Sequence, residues 1–407
     1  MLAYSDRSHR VQQRLEQVTV GALYVYAFCA VVSISAMQAA YIFALLIWMT
    51  RVCLQGHNEP LCLPLLLPVG GFFLASVLAT ITAVAPYRSL VELRNVLEVL
   101  LFYLIVNQVT STERATTLTK VLIAAGTGMA LYGLGQSLAR GADFRIYGTM
   151  SIYITFASLL MLVALMTLAQ LLFRTHAWHV LWALPALLII TAALVMTHTR
   201  SAWLGFLVGC GVLVGLYNKR VLLALPLCIL VVFLLAPQAV KTRALSMLDW
   251  RDITVQQRVS MWSSGVHILR DHPWTGVGMG AMAQVYQRYR EPDSSIEPTR
   301  RLGHLHNNIV QVAVERGLLG LACWLWLWVA YIHQVWLIYR CLGSEPPSKA
   351  LVGGSLASVV GFHVAGLFDH TFGDSEVITL VYFFMALPFV VQRARLSSHS
   401  VSYGVHA

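Results

Sequence analysis

Apolar stretches long enough to cross a bilayer follow one another along almost the whole chain, separated by short polar connections. A spanning helix needs roughly 20 mainly apolar residues, because in hydrocarbon every backbone amide and carbonyl must be satisfied within the segment itself. About twelve such stretches can be marked, near residues 18–35, 37–53, 63–86, 91–106, 118–138, 148–173, 180–196, 202–217, 221–235, 307–339, 351–367 and 378–391. The tenth is too long for one crossing, so its start is expected to form an interfacial turn or a tilted helix. With 58% apolar and only 11% charged residues among 407, the chain does not suit a water-soluble globular fold. The fold class expected is an all-α polytopic membrane protein. The lipid bilayer is its first partner, and no nucleic-acid partner is expected.

Orientation follows from the basic residues. Arg7, Arg10 and Arg14 precede the first span, which places the N-terminus inside. The connections carrying Arg51, Arg114, Arg174, Lys219 with Arg220, Arg340 with Lys349, and Arg393 with Arg395 then fall inside as well. The first span lacks a convincing cleavage site and is read as an uncleaved anchor. Among the seven cysteines, Cys29, Cys210, Cys228 and Cys323 lie within spans, and Cys53, Cys62 and Cys341 lie at inner edges. Neither a disulfide framework nor a zinc spacing emerges.

One segment breaks the pattern. Between the ninth and tenth spans, residues 236–305 become charged, aromatic and punctuated by Gly and Pro. The division expected is therefore 1–235 for nine spans, 236–305 for an external loop domain with amphipathic helices, 306–392 for three further spans and 393–407 for an inner tail. The loop carries Lys241, Arg243, Arg251, Arg258, Arg270, Arg288, Arg290, Arg300 and Arg301 against Asp249, Asp252, Asp271, Glu291, Asp293 and Glu297. That excess is opposite to what orientation alone would produce. Guanidinium forks match phosphate oxygens, so the loop suits an anionic substrate such as a lipid-linked diphosphate, or the head groups of the membrane itself. Residues 256–269 read as an amphipathic helix with Val259, Trp262, Val266 and Leu269 on one stripe. The following run, His272-Pro273-Trp274-Thr275-Gly276-Val277-Gly278-Met279-Gly280, has no strand before it and so is no dinucleotide-binding turn. It is expected to be a tight turn, structural or bringing backbone amides of Gly276 and Gly278 to a phosphate or sugar.

Ionisable groups at membrane depth are costly and single out functional candidates. Arg200 lies in the hinge Thr197-His198-Thr199-Arg200-Ser201-Ala202-Trp203, on the same side as the large loop. An arginine there also suits snorkelling to head groups. His304-Leu305-His306-Asn307-Asn308 closes the loop. If helix begins there, His306, Val310, Ala313, Gly317 and Gly320 share a stripe whose small residues would let another helix approach. A histidine at that mouth suits a general base, although a capping or hydrogen-bonded histidine is the commoner arrangement. No spacing points to a divalent metal, and no cofactor is expected.

The run His306-Asn307, nine residues, Gly317, two residues, Gly320 matches a motif of O-antigen ligases. Thr199-Arg200-Ser201-Ala202-Trp203, Arg258 with Trp262, and the 272–280 run resemble the wider O-antigen ligase and polymerase superfamily, in that family's order. The resemblance covers residues 190–320, about a third of the chain. It implies metal-independent, inverting transfer of a glycan from undecaprenyl diphosphate to lipid A core, on the periplasmic face of the inner membrane. In that reading His306, Arg200 and Arg258 are catalytic: the arginines hold the diphosphate and His306 removes the acceptor proton. Asn307, His304, Trp262, Gly276, Gly278, Asp369 and His370 are candidate substrate contacts, the last two equally explicable as hydrated loop positions. An O-antigen polymerase or a protein O-oligosaccharyltransferase of the same superfamily would share the donor chemistry. A lipid-linked glycan flippase is the alternative of a different class, though the cations gather at one mouth rather than through the depth of the bundle.

Overall fold

The computed structural model describes residues 2–55, 61–141, 143–174, 177–235, 238–246, 249, 251–291 and 303–404. Arg300, Arg301, Asp293 and Glu297 of the expected loop domain lie outside the described residues. The described residues form α-helices: α1 (Leu2–Cys29), α2 (Ile34–Gln55), α3 (Leu66–Ile81), α4 (Pro86–Leu93), α5 (Leu100–Gln108), α6 (Thr112–Arg140), α7 (Tyr153–Phe173), α8 (Ala177–Met196), α9 (Arg200–Tyr217), α10 (Lys219–Leu222), α11 (Leu225–Leu235), α12 (Gln238–Leu245), α13 (Ile253–Asp271), α14 (Met282–Tyr289), α15 (Asn308–Arg340), α16 (Pro346–Ala365) and α17 (Ser375–Gly404), with a 3-10 turn at Arg94–Val99.

Among the described residues eight helices are long and apolar enough to cross a membrane: α2, α6, α7, α8, α9, α15, α16 and a stretch of α17. The shorter α3 is apolar too, but its 16 residues reach only about 24 Å. The difference from about twelve has local causes. The stretch expected at 91–106 is broken into α4, the 3-10 turn and α5, where Arg88, Glu92, Arg94 and Glu98 recur and prevent one continuous apolar cylinder. The ninth expected span is divided between α10 and α11, and the 11 residues of α11 extend only about 16 Å. The chain is a multi-pass membrane protein whose middle is built from α7, α16 and α17, helices buried on nearly every side. Around them pack α8, α9, α6 and α5, while α3 lies along α15.

The two ends of the bundle differ in charge chemistry. At one end Arg51 and Arg114 both reach Glu16 at 3.3 Å, Arg393 donates to the Val106 and Asn107 carbonyls at 3.1 Å, and Arg395 donates to the Cys341 carbonyl at 2.7 Å. The opposite end carries α13, α14 and the connections after α8 and α16. There α13, the 272–280 run, α14 and the entry to α15 share a small core of Met261, Ile268, Val277, Met282, Tyr286, Leu305 and Val314. The inward face of α13 is thus Met261, Ser264, Gly265 and Ile268, whereas Val259 and Val266 of the expected stripe are exposed. The helix forms where the apolar period places it, and it packs on the protein through this other face because Gly265 lets α13 lie against Val310 and Leu305.

Two backbone approaches position the site. Gly205 of α9 and Gly361 of α16 face each other: a Cβ on Gly205 would lie 2.5 Å from the Gly361 carbonyl, and the reverse contact would be 2.9 Å. Only glycines allow two helices so close. The second approach is at Gly317, where α15 leaves helical geometry (φ 64°, ψ −171°). The break frees the carbonyls of Val314 and Glu315 and the amides of Leu318 and Leu319. The 272–280 run takes up all four: Val277 N–H donates to Val314 O (2.9 Å), Gly278 N–H to Glu315 O (3.0 Å), Leu318 N–H to Pro273 O (2.7 Å) and Leu319 N–H to Trp274 O (3.3 Å). The four backbone groups freed by the kink are thereby satisfied.

Candidate functional site

The polar cluster at the loop end is assembled around Asp369. This residue follows α16 by a tight turn in which its N–H reaches the Ala365 carbonyl at 3.1 Å. Because α9 and α16 are clamped at Gly205 and Gly361, the first turn of α9 lies beside that carboxylate, and Ser201 Oγ donates to Asp369 Oδ2. Arg258 Nη2, from α13, donates to Asp369 Oδ1 at 3.1 Å. His306 Nδ1 lies 3.2 Å from the same oxygen. Burial opposes the charge, but the bond from His306, the Arg258 guanidinium and the Ser201 hydroxyl hold the Asp369 carboxyl below the usual carboxylate range. An ionised carboxylate accepts only, so it fixes the neutral His306 as the Nδ1–H tautomer and leaves Nε2 as a base.

His306 is not on α15, as the expected stripe has it. It occupies a left-handed turn (φ 49°) before the helix, and Asn307 is the N-cap, accepting from Val310 N–H at 3.0 Å and donating to Leu367 O at 2.8 Å. Asn308 extends the stitch: its amide donates to Gly366 O at 2.7 Å, and its Oδ1 accepts from Thr371 and Phe372 N–H at 3.2 Å. These bonds tie the start of α15 to the α16–α17 connection, which is why His306 meets Asp369. A left-handed non-glycine residue is strained, and here the bonds of Asn307 and Asn308 after it and of the Leu305 backbone before it hold the strain in place.

Arg200 opens α9 and is 7% exposed. Its Nη1 donates to Ser246 Oγ (2.7 Å) and pairs with Asp252 Oδ2 (3.3 Å), so it points into protein rather than toward head groups. Arg200, Arg258 and Trp262 line one cavity of about 510 Å³, whose remaining wall includes Leu204, Val255, Val259 and Phe368. Val255 and Val259 of α13 therefore form an apolar wall beside two guanidinium groups. The Trp262 indole is anchored by its Nε1–H to Leu305 O at 3.1 Å.

The remaining candidates lie elsewhere. The His304 ring stands edge-on to His306 with centroids 4.3 Å apart, and 5.8 Å from His370. His370 is hydrogen-bonded to Asn308 Oδ1 at 3.1 Å, and burial, with His304, Arg316 and His306 nearby, pushes its pKa down to about 3. It therefore stays neutral. Gly276 and Gly278 do not offer amides to a ligand, correcting that expectation: their N–H groups are bound to His272 O and Glu315 O. A Cβ on Gly276 would lie 2.4 Å from Val314 O, so the glycine serves close approach to the break in α15. Gly317 likewise admits the 272–280 run, not a neighbouring helix, since its Cβ would fall 2.2 Å from the Trp274 carbonyl.

Sequence reasoning passes over Ser201, Ser246, Asp252 and the buried pair Glu315–Arg316. The last is joined at 2.9 Å, with Gln311 and the Gly280 amide also bound to Glu315. Its signal is an adjacent acid and base inside an apolar run, immediately before a motif glycine. Among the described residues no group of three or more His, Cys, Asp and Glu side chains is arranged to hold a metal ion.

Residues 185–325 match the family model described as O-antigen ligase. A solved chain described under "Structural coordination of polymerization and crosslinking by a peptidoglycan synthase complex" is 18% identical, covering 81% of this chain and 97% of that one, with a TM-score of 0.47. That likeness is too remote to bear on function. No curated protein gives a significant match.

Proposed function

Starting from a chain with an O-antigen ligase family region at residues 185–325, we propose that it is an O-antigen ligase. It would move a glycan from undecaprenyl diphosphate to lipid A core at the periplasmic face of the inner membrane. The observation that carries this reading is the sharing of one buried carboxylate, Asp369, by His306 and Arg258, beside a cavity with a cationic mouth and an apolar wall. Such a cavity suits an amphiphile with a phosphorylated head.

Arg200 and Arg258 hold the diphosphate; each guanidinium has five donors, more than its carboxylate partner takes up. The acceptor hydroxyl oxygen attacks the anomeric carbon from the face opposite the diphosphate. The new C–O bond forms as the old one breaks, its electron pair leaves on the diphosphate oxygen, and the hydroxyl proton passes to His306 Nε2. Asp369 steadies the imidazolium that results, and the arginines meet the charge growing on the leaving group. The anomeric configuration inverts, and arginine supplies the cationic charge a metal would otherwise bring.

The test is reconstitution of the purified protein with undecaprenyl-diphosphate-linked oligosaccharide and a chelator, with lipid A core added to half the sample. Glycan joined to lipid A core only where that acceptor is supplied is the expected product. Longer lipid-linked glycan in both halves would assign a polymerase instead, and absence of any covalent product would leave the reading without support.

A further inference from the structure

A second cavity, about 220 Å³, shares no lining residue with the arginine cavity, and His306 lines neither, but residues in contact with the His306–Asp369 pair line both. His304 and His370 line it, and the His304 ring lies against His306. The His306–Asp369 pair therefore connects two cavities: Ser201 and Arg258 bind Asp369 from one, and His304 abuts His306 from the other.

The chemistry of the two differs. The first is apolar with two cations. The second mixes Arg88, Glu92, Asn95, Glu315 and Arg316, so that donors and acceptors of both signs face one space. Such a lining suits a neutral polyhydroxylated ring, whose hydroxyls donate and accept, better than a phosphate, which only accepts. The volume falls below the roughly 300–1,000 Å³ of pockets for drug-sized ligands and fits a short saccharide terminus. Part of the lining is preset: Asn95 Nδ2 donates to Glu92 Oε2 at 2.8 Å, and Gly280 packs against Glu92 and Arg88 where a Cβ would meet them at 3.0 and 3.2 Å. Arg316 is committed to Glu315 and to Ser76 at 3.2 Å, and Arg88 is exposed, whereas Glu92 and Asn95 are half-buried in the lining and so are held in place to read a ligand.

We propose that this cavity is the acceptor site, holding the terminal sugar of the acceptor with its attacking hydroxyl turned toward the His304–His306 pair, and that Glu92 and Asn95 determine which sugar is accepted. The inference rests on the glycosyl-transfer reading. Donor and acceptor then enter by separate cavities and meet at His306.

The experiment uses the full-length protein in nanodiscs with rough lipopolysaccharide, which bears no O-glycan, as acceptor probe. Binding is measured without donor, and initial rates with undecaprenyl-diphosphate-linked oligosaccharide. Glu92→Gln and Asn95→Ala are each expected to weaken acceptor binding and raise acceptor KM by about tenfold, the scale of a lost hydrogen bond to a charged or well-placed polar group. Donor KM should stay within about twofold of wild type. Glu92→Gln keeps the size of the side chain, and its melting temperature reports that the fold is intact. Unchanged acceptor binding in both variants, or a donor KM that rises in parallel, would overturn the assignment. Wild-type protein that binds the acceptor but transfers no glycan would instead count against the ligase reading, which separates the two failures.

Discussion

Three side chains from α9, α13 and the turn before α15 converge on Asp369, so its replacement disturbs base, cation and hydroxyl together. Asp369→Asn is expected to lower transfer by at least about 100-fold, since an amide no longer enforces the His306 tautomer, with lipid-linked donor still bound. His306→Ala is expected to lose about 100- to 10,000-fold in turnover, the usual worth of a general base. Full transfer activity in that variant would remove His306 from the mechanism. The pH dependence follows from the direction of the Asp369 shift. Its folded pKa lies below the ordinary value of about 3.9, so the stabilisation from its partners is complete above that value and drains as pH falls toward the folded pKa. Thermal melts of wild type and Asp369→Asn should therefore keep a constant separation from pH 8 to about 5 and converge below about 4. Arg200 and His306 stand out in the sequence as ionisable groups beside apolar runs, whereas Arg258 is set apart from the other loop cations by the family resemblance. The centrality of Asp369 is not, because a carboxylate just after a span reads equally well as a hydrated loop residue.

At the scale of elements, the 272–280 run and the break in α15 are two halves of one feature. The sequence marks both by their glycines. Spacing along α15 points to helix–helix contact at Gly317, whereas that position has φ 64° and ψ −171°, a region essentially reserved for glycine. Gly317→Ala is expected to cost roughly 1–3 kcal/mol in backbone strain alone, and more from the collision with the Trp274 carbonyl. Differential scanning fluorimetry in detergent should show a melting temperature several degrees lower, and activity should fall with it as the turn carrying His306 loosens. An unchanged melt would mean that the break in α15 is tolerated without the clamp. The packing of α13 has the same origin: periodicity identifies a helix, but the face buried against the protein depends on Gly265 and on what packs against it.

For the molecule as a whole, Arg51, Arg114, Arg393 and Arg395 gather at one end and Arg200, Arg258 and His306 at the other. In a variant with all seven cysteines replaced, Arg288→Cys should react with an impermeant maleimide in intact cells. Glu113→Cys should react only after the inner membrane is opened, and the reverse pattern would invert the orientation. The membrane environment, the helical class and the polar segment near 236–305 all follow from composition and order, because hydrocarbon demands long apolar helices and makes a break in that pattern stand out. Folding in three dimensions decides the rest. Which carboxylate binds His306, which face of α13 packs, and whether glycines serve a ligand or a neighbouring backbone all depend on residues far apart in the chain, 63 positions for His306 and Asp369. Asp369 meets Ser201, 168 positions away, because Gly205 and Gly361 let two helices touch, and such long-range approach leaves no local pattern in the chain.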